Sequence, residues 1–336
     1  MVNQDVKQDA WMIVPRHWAE ARIQHREGKR SITVRRFGWS DESYAAAELH
    51  ARGRAGEALD EILSGTPLPR RERLAAYGEG LPIREEIVAQ EGSLILTRNS
   101  YGALCLNTPN VLFADVDFAH LPRRGLGPGW GLLLLVSVML LGTFQFHLFG
   151  GVILATAVTW LSNRLARSWR RHRFCRAGTP EQQARRRIDE FAAAHPRWHL
   201  RLYRTPAGFR LLALHRCFEP DEAEVAACFS QLGVDAVYAR MCRMQQCFRA
   251  RVSPKPWRVG IHRRIRPPYA AWRAEHATLP ERLRWIADYE GASTAFAACR
   301  YIASFGDERN VTEAARQVQE RHDAWCRADQ PHLQLA

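Results

Sequence analysis

Residues 129–161 constrain this chain more than any other stretch. From Trp130 to Leu161 there is no Asp, Glu, Lys or Arg, and the polar interruptions are Ser137, Thr143, Gln145, His147, Thr156 and Thr159. A buried core helix needs about 10 to 14 apolar residues and a bilayer span about 20, so the length of the run points to a membrane segment. Arg123 and Arg124 precede it, and Arg164, Arg167, Arg170, Arg171, Arg173 and Arg176 follow it. Basic flanks mark the cytoplasmic side, so matched flanks imply that the chain returns to the side it left. Gln145 and His147 with Gly150 and Gly151 provide a polar, glycine-bearing break at which a helix can end and turn. The expectation is a helical hairpin, 129–146 and 148–163, that is full-length, shallow or re-entrant, with a single span as the alternative. In the hairpin Trp130 and Trp160 meet the same interface.

Charge and cysteine usage extend that reading. Lys and Arg number 48 against 35 Asp and Glu, a formal charge of +13. That balance favours anionic partners: nucleic acid, nucleotides or anionic lipid head groups. The arginines after the apolar run account for about half of it, and they serve as topology signals whatever the protein does. The start MVNQDVKQDAW has no apolar core behind a basic end, so no secretory signal is read there. The expected location is a bacterial-type inner membrane with both soluble parts cytoplasmic. Eight cysteines without a paired framework fit a reducing compartment. No CxxC occurs; Cys242 and Cys247, with His215 and Cys217 nearby in sequence, are the zinc candidates, against which stands the lack of paired short ligand spacings.

Elsewhere strands and helices alternate. Residues 31–39 read as a strand, and Ser40 to Ser43 cap a helix reaching about Leu63. Two strands within 93–107 flank a turn at Asn99-Ser100-Tyr101-Gly102, and 111–118 is a further strand. Thr179 followed by Pro180 starts a helix ending near His195. Strands at 198–204 and 208–215 form a second hairpin, followed by helices at 220–232 and across much of 278–327. The expected class is α+β, a mixed or antiparallel sheet with flanking helices, interrupted by a transmembrane helical hairpin. The corresponding segments are 1–70, 71–126, the membrane segment 127–171, 172–265 and a helical 266–336. HExxH, GxSxG and Walker sequences are absent, which removes the usual support for zinc proteases, α/β-hydrolases and P-loop NTPases.

Two clusters can carry chemistry. Asp115 and Asp117, at i and i+2 on the strand VLFADVDF, point to one face, as a shared divalent cation requires. Solvent-facing aspartates at a strand end are the plainer account. Downstream, Asp235 precedes an apolar segment, and Phe248-Arg249-Ala250-Arg251 runs toward Ser253-Pro254-Lys255. Arg249 and Arg251 also share a strand face and can meet phosphates, or simply protect a sheet edge.

Together the DxD strand, a glycine-bearing hairpin, a later aspartate and an FR…K strand resemble the archaeo-eukaryotic primase superfamily, its primase-polymerase branch in particular, over 111–118 and 203–256. The resemblance implies two divalent ions, Mg or Mn, on Asp115, Asp117 and Asp235 as catalytic metal ligands. It implies nucleotide phosphates on Arg249 and Lys255, with Arg251 beside them. Where the family carries a phosphate-contacting histidine the chain has Arg210, with His215 five positions on, so phosphate binding can persist where polymerisation does not. The functional expectation is a membrane-tethered, primase-like nucleotide- or nucleic-acid-binding fold, active or degenerate. The alternative is a non-enzymatic membrane scaffold or anionic-lipid-binding protein.

Overall fold

The computed structural model describes residues 13–28, 30–72, 81–119, 127–176, 178–268 and 271–336, without the side chains of 30, 128 and 142–149. They divide into two compact units, 1–116 with 191–336, and 117–190.

The first unit opens with an antiparallel hairpin of β1 (His17–Glu27) and β2 (Arg30–Ser40), the second of which falls where residues 31–39 predict a strand. Helix α1 (Tyr44–Leu63) starts at Ser43, whose hydroxyl accepts the Ala46 N–H at 3.1 Å. Its buried alanines, Ala47, Ala51 and Ala55, pack on Ala19 and Ala21 of β1. Gly38 makes this contact possible, because a Cβ there would lie 2.2 Å from the Ala51 nitrogen.

Four short strands follow: β3 (Glu86–Glu91), β4 (Leu94–Arg98), β5 (Leu104–Thr108) and β6 (Phe113–Asp117). Their boundaries follow apolar runs separated at Gly92 and at the Asn99–Gly102 turn, where Gly102 takes φ +97°. The second unit contains α2 (Pro128–Cys175), and α3 (Pro180–Ala194) bridges back to the first unit in sequence. Then come β7 (Leu200–Arg204), β8 (Gly208–Ala213), α4 (Ala223–Leu232), α5 (Ala236–Gln245) and β9 (Phe248–Arg251). The chain finishes with α6 (Pro280–Ser293), β10 (Phe296–Ala297), β11 (Arg300–Phe305), α7 (Glu313–Cys326) and β12 (Gln334–Leu335). One four-stranded sheet has the order β3-β4-β5-β9, antiparallel throughout; the other has the order β11-β7-β8-β6. The α+β class is as expected from the sequence.

The transmembrane hairpin is not. Helix α2 is 48 residues long and passes through Gly150 and Gly151 without a turn. Two glycines cost a helix only about 1 kcal/mol each, and no proline lies between Pro128 and Pro180 to force a break. Among the described residues, no helix is long and apolar enough to cross a membrane. The side chains of Gln145 and His147, expected to mark the break, lie outside the described residues. The membrane anchor, the inner-membrane location with cytoplasmic flanks, the membrane and anionic-lipid partners, and the membrane-scaffold alternative are corrected with it. The arginine run forms the largely exposed last turns of α2, with Arg164 and Arg173 over the rings of Trp160 and Trp169.

Candidate metal centre

Helix α7 supplies the first part of the site. Its N-cap Thr312 accepts the Ala315 N–H, and its buried residues Ala315, Val318, His322, Asp323 and Cys326 fall at spacings of one helix face. His322 and Cys326, at i and i+4, therefore lie one above the other on the side facing the core. The chain enters the left-handed region at Arg327, with φ 55°, which ends the helix just past Cys326.

Cys299 arrives from the link between β10 and β11. The Cys326 carbonyl accepts the Ala298 N–H at 3.0 Å, and the Ala328 carbonyl accepts that of Tyr301 at 3.1 Å. These bonds hold Cys299 against the end of α7. The Sγ atoms of Cys299 and Cys326 and a ring nitrogen of His322 all lie within 4.8 Å of one another, and all three residues are fully buried. The separation between Cys299 Sγ and His322 Nε2 is 3.8 Å.

The surroundings orient the imidazole. Nδ1 faces Asp323 Oδ1 at 3.0 Å, while Asp323 Oδ2 accepts from Arg201 Nη2 at 3.0 Å. Arg201 Nε also donates to the Tyr203 hydroxyl at 2.9 Å. With Nδ1–H donated to the carboxylate, Nε2 is left as the basic nitrogen facing the cysteines, the arrangement by which a carboxylate prepares a histidine ligand. Burial alone would depress His322, but charge on Cys299 and the Asp323 hydrogen bond together hold its pKa above the usual value. Burial drives the Cys299 thiol well above its ordinary pKa, and the hydrogen bond it donates to neighbouring Cys326 adds to that. Burial opposes ionisation of Asp323 as well, yet the His322 hydrogen bond and charge keep it below the usual carboxylate range.

Arg210 closes the site on the remaining side. Its Nε and Nη2 donate to the two carboxylate oxygens of Asp115 at 2.7 and 3.0 Å. Its Nη1 donates to the Arg251 carbonyl at 2.9 Å and lies 3.3 Å from His322 Nε2. Burial disfavours charge on both partners, but their mutual attraction dominates, raising Arg210 and lowering Asp115. The guanidinium is the positive neighbour of both cysteines.

The sequence-predicted residues do not share one role. On β6, Asp115 is partly buried and Asp117, at the strand end, is exposed. The Asp115 carboxylate is bound by a guanidinium. Asp235 caps α5, its Oδ1 accepting the N–H groups of Val237 and Tyr238 at 2.8 and 3.0 Å. The nearby Tyr238 hydroxyl donates to the Phe113 and Arg249 carbonyls and so ties α5 to β6 and β9. Arg249 is buried and paired with Glu85, itself buried; that carboxylate also accepts the Thr97 hydroxyl at 2.8 Å. Arg251 offers its carbonyl to Arg210. Lys255 Nζ sits 5.4 Å from the centre of the Trp257 ring. His215 packs on Trp198 and Phe218, with burial and then Arg216 lowering its pKa.

Cys242 and Cys247 are buried thiols, and Cys247 is pushed up to about 12 by burial. Among the described residues, neither belongs to a converging group of three or more His, Cys, Asp or Glu. Sequence reasoning missed Cys299, His322, Asp323 and Cys326. The four-residue helical spacing of His322 and Cys326 was the available signal. No protein-family model matches the chain, and neither a curated protein nor a solved structure matches it.

Proposed function

We propose that this protein binds a thiophilic divalent metal ion, zinc in the first instance, through Cys299, His322 and Cys326, and that the ion pins α7 to the β10–β11 link. The supporting observation is the convergence of three buried ligand atoms within 4.8 Å of one another. Zinc–sulfur bonds of about 2.3 Å and zinc–nitrogen bonds of about 2.0 Å set tetrahedral ligand-to-ligand edges of roughly 3.5 to 3.8 Å. The 3.8 Å between Cys299 Sγ and His322 Nε2 already meets that spacing. Two thiolates neutralise the ion's charge, Asp323 fixes the imidazole, and soft sulfur ligands select zinc over magnesium or calcium. Arg210 Nη1 lies beside Nε2, and because the guanidinium is planar and rigid, loading shifts the whole group, including the two nitrogens that hold Asp115.

The test is metal uptake by the full chain after chelator treatment. One zinc per chain is expected, with thiolate-to-metal charge-transfer absorption when cobalt is substituted. Cys326→Ala and His322→Ala should each lower affinity at least tenfold, while Cys175→Ala, an exposed thiol, leaves it unchanged. Cobalt uptake without the thiolate signature, or equal uptake by all variants, would refute the centre.

A further inference from the structure

A second feature lies away from the cysteines, where the segment 263–268 passes the start of α6. A cleft of about 710 Å3 opens there, with Arg263, Arg264, Arg266 and Arg284 on its walls and two carboxylates, Glu281 and Asp288, among them. Arg263 is paired with Asp288. Four guanidinium groups against two carboxylates leave two positive charges, the complement of a phosphate monoester, which carries nearly two negative charges at neutral pH.

The backbone of this segment is fixed from beneath. Ile265 points inward and packs with Trp285 and Tyr289, so the residues on either side of it, Arg264 and Arg266, face outward. The Trp285 indole N–H donates to the Arg263 carbonyl at 2.8 Å, and Arg282 Nη1 donates to the Arg266 carbonyl at 3.2 Å. Both donors are buried; Arg282 is itself held by Glu86 and lies over the Trp272 ring. A basic segment anchored at both carbonyls loses less conformational freedom on binding than a charge run on an exposed strand or helix. Arg284 sits in the second turn of α6, so the positive end of a helix of 14 residues adds to the same field.

We infer that this cleft binds a phosphate monoester on a small organic group, with Arg266 and Arg284 as the principal recognising residues. The volume falls within the range of small-molecule sites and exceeds what one phosphate fills, leaving room for an organic part beside Pro268 and Ala287. Guanidinium groups suit phosphate oxygens because their fork can donate two parallel hydrogen bonds.

Isothermal titration of the full chain with phenyl phosphate tests this. Saturable one-to-one binding is expected, weakened at least tenfold by Arg266→Gln and by Arg284→Gln. Both are exposed, and it is the carbonyl of Arg266 rather than its side chain that anchors the segment. Arg22→Gln, an equally charged change on the exposed face of β1, should leave affinity unchanged. Absence of saturable binding, or equal weakening by all three changes, would overturn the site. A second arm compares oligonucleotides with and without a terminal phosphate. Tighter binding of the phosphorylated form supports monoester recognition, and equal binding of the two assigns the cleft to the diester backbone and rejects the inference. Titrating both ligands into Cys326→Ala separates this cleft from the metal centre, since phosphate binding should persist there.

Discussion

Asp115 shows how one carboxylate can suit two partners of different kind, a metal ion and a guanidinium. Alternation along VLFADVDF assigns Asp115 and Asp117 to one face of β6. A carboxylate there needs a compensating positive charge, and a divalent ion or an arginine can both supply it. The choice rested on Arg210, 95 positions away, which the pairing of β8 beside β6 brings into place. Asp115→Ala leaves Arg210, 2% exposed, with only a carbonyl and an imidazole to face. Removing one partner of a fully buried pair costs about 3 to 5 kcal/mol. Because the Asp115 side chain is 36% exposed, solvent recovers part of that and a loss of about 2 kcal/mol is expected. Urea unfolding measures it, and a loss under about 0.5 kcal/mol would show that the pair carries no net stabilisation.

At the scale of elements, local signals were read best where they are self-contained. The turn at Asn99–Gly102, the Thr179-Pro180 start of α3 and the β7–β8 hairpin follow from residues adjacent in sequence. Helix α2 departs from the expected hairpin because Gly150 and Gly151, within a run of good helix formers, merely weaken the helix and do not stop it. The resemblance implies a metal role for Asp235, but an aspartate just before Ala-Val-Tyr-Ala-Arg-Met is also a helix start. The two roles predict different mutants. As a cap, Asp235→Ala costs about 1 kcal/mol, and Asp235→Ser, which keeps a side-chain acceptor, restores most of it. Thermal unfolding of the pair distinguishes the cases: if Ser is as damaging as Ala, the side-chain acceptor is not what α5 needs.

Across the whole molecule, the metal centre joins residues that no short motif contains. His322 and Cys326 were legible as a helical pair, but Cys299 precedes them by more than a helix length, and only the pairing of β10 with β12 and of β11 with β7 folds the chain back onto α7. The same burial that assembles the ligands controls when they bind. Cys299 is held as a thiol well above its usual pKa, so a metal must displace its proton to gain the thiolate. His322, held above its usual value by Cys299 and Asp323, must likewise present a neutral Nε2. Every one of these protons leaves on binding, so apparent affinity rises with pH, by up to tenfold per pH unit for each proton released. With both thiols ionising and His322 giving up its proton, zinc affinity should rise by up to about a thousandfold from pH 6.5 to 7.5. An ion that binds the folded chain alone also stabilises it, by about 2.7 kcal/mol when present at a hundred times its dissociation constant. At fixed free zinc, the melting temperature should therefore climb with pH, and with chelator present that zinc-dependent rise should vanish. Competition against a chromophoric chelator across this range measures the slope directly, and an affinity that stays flat or falls with rising pH would exclude thiolate ligation.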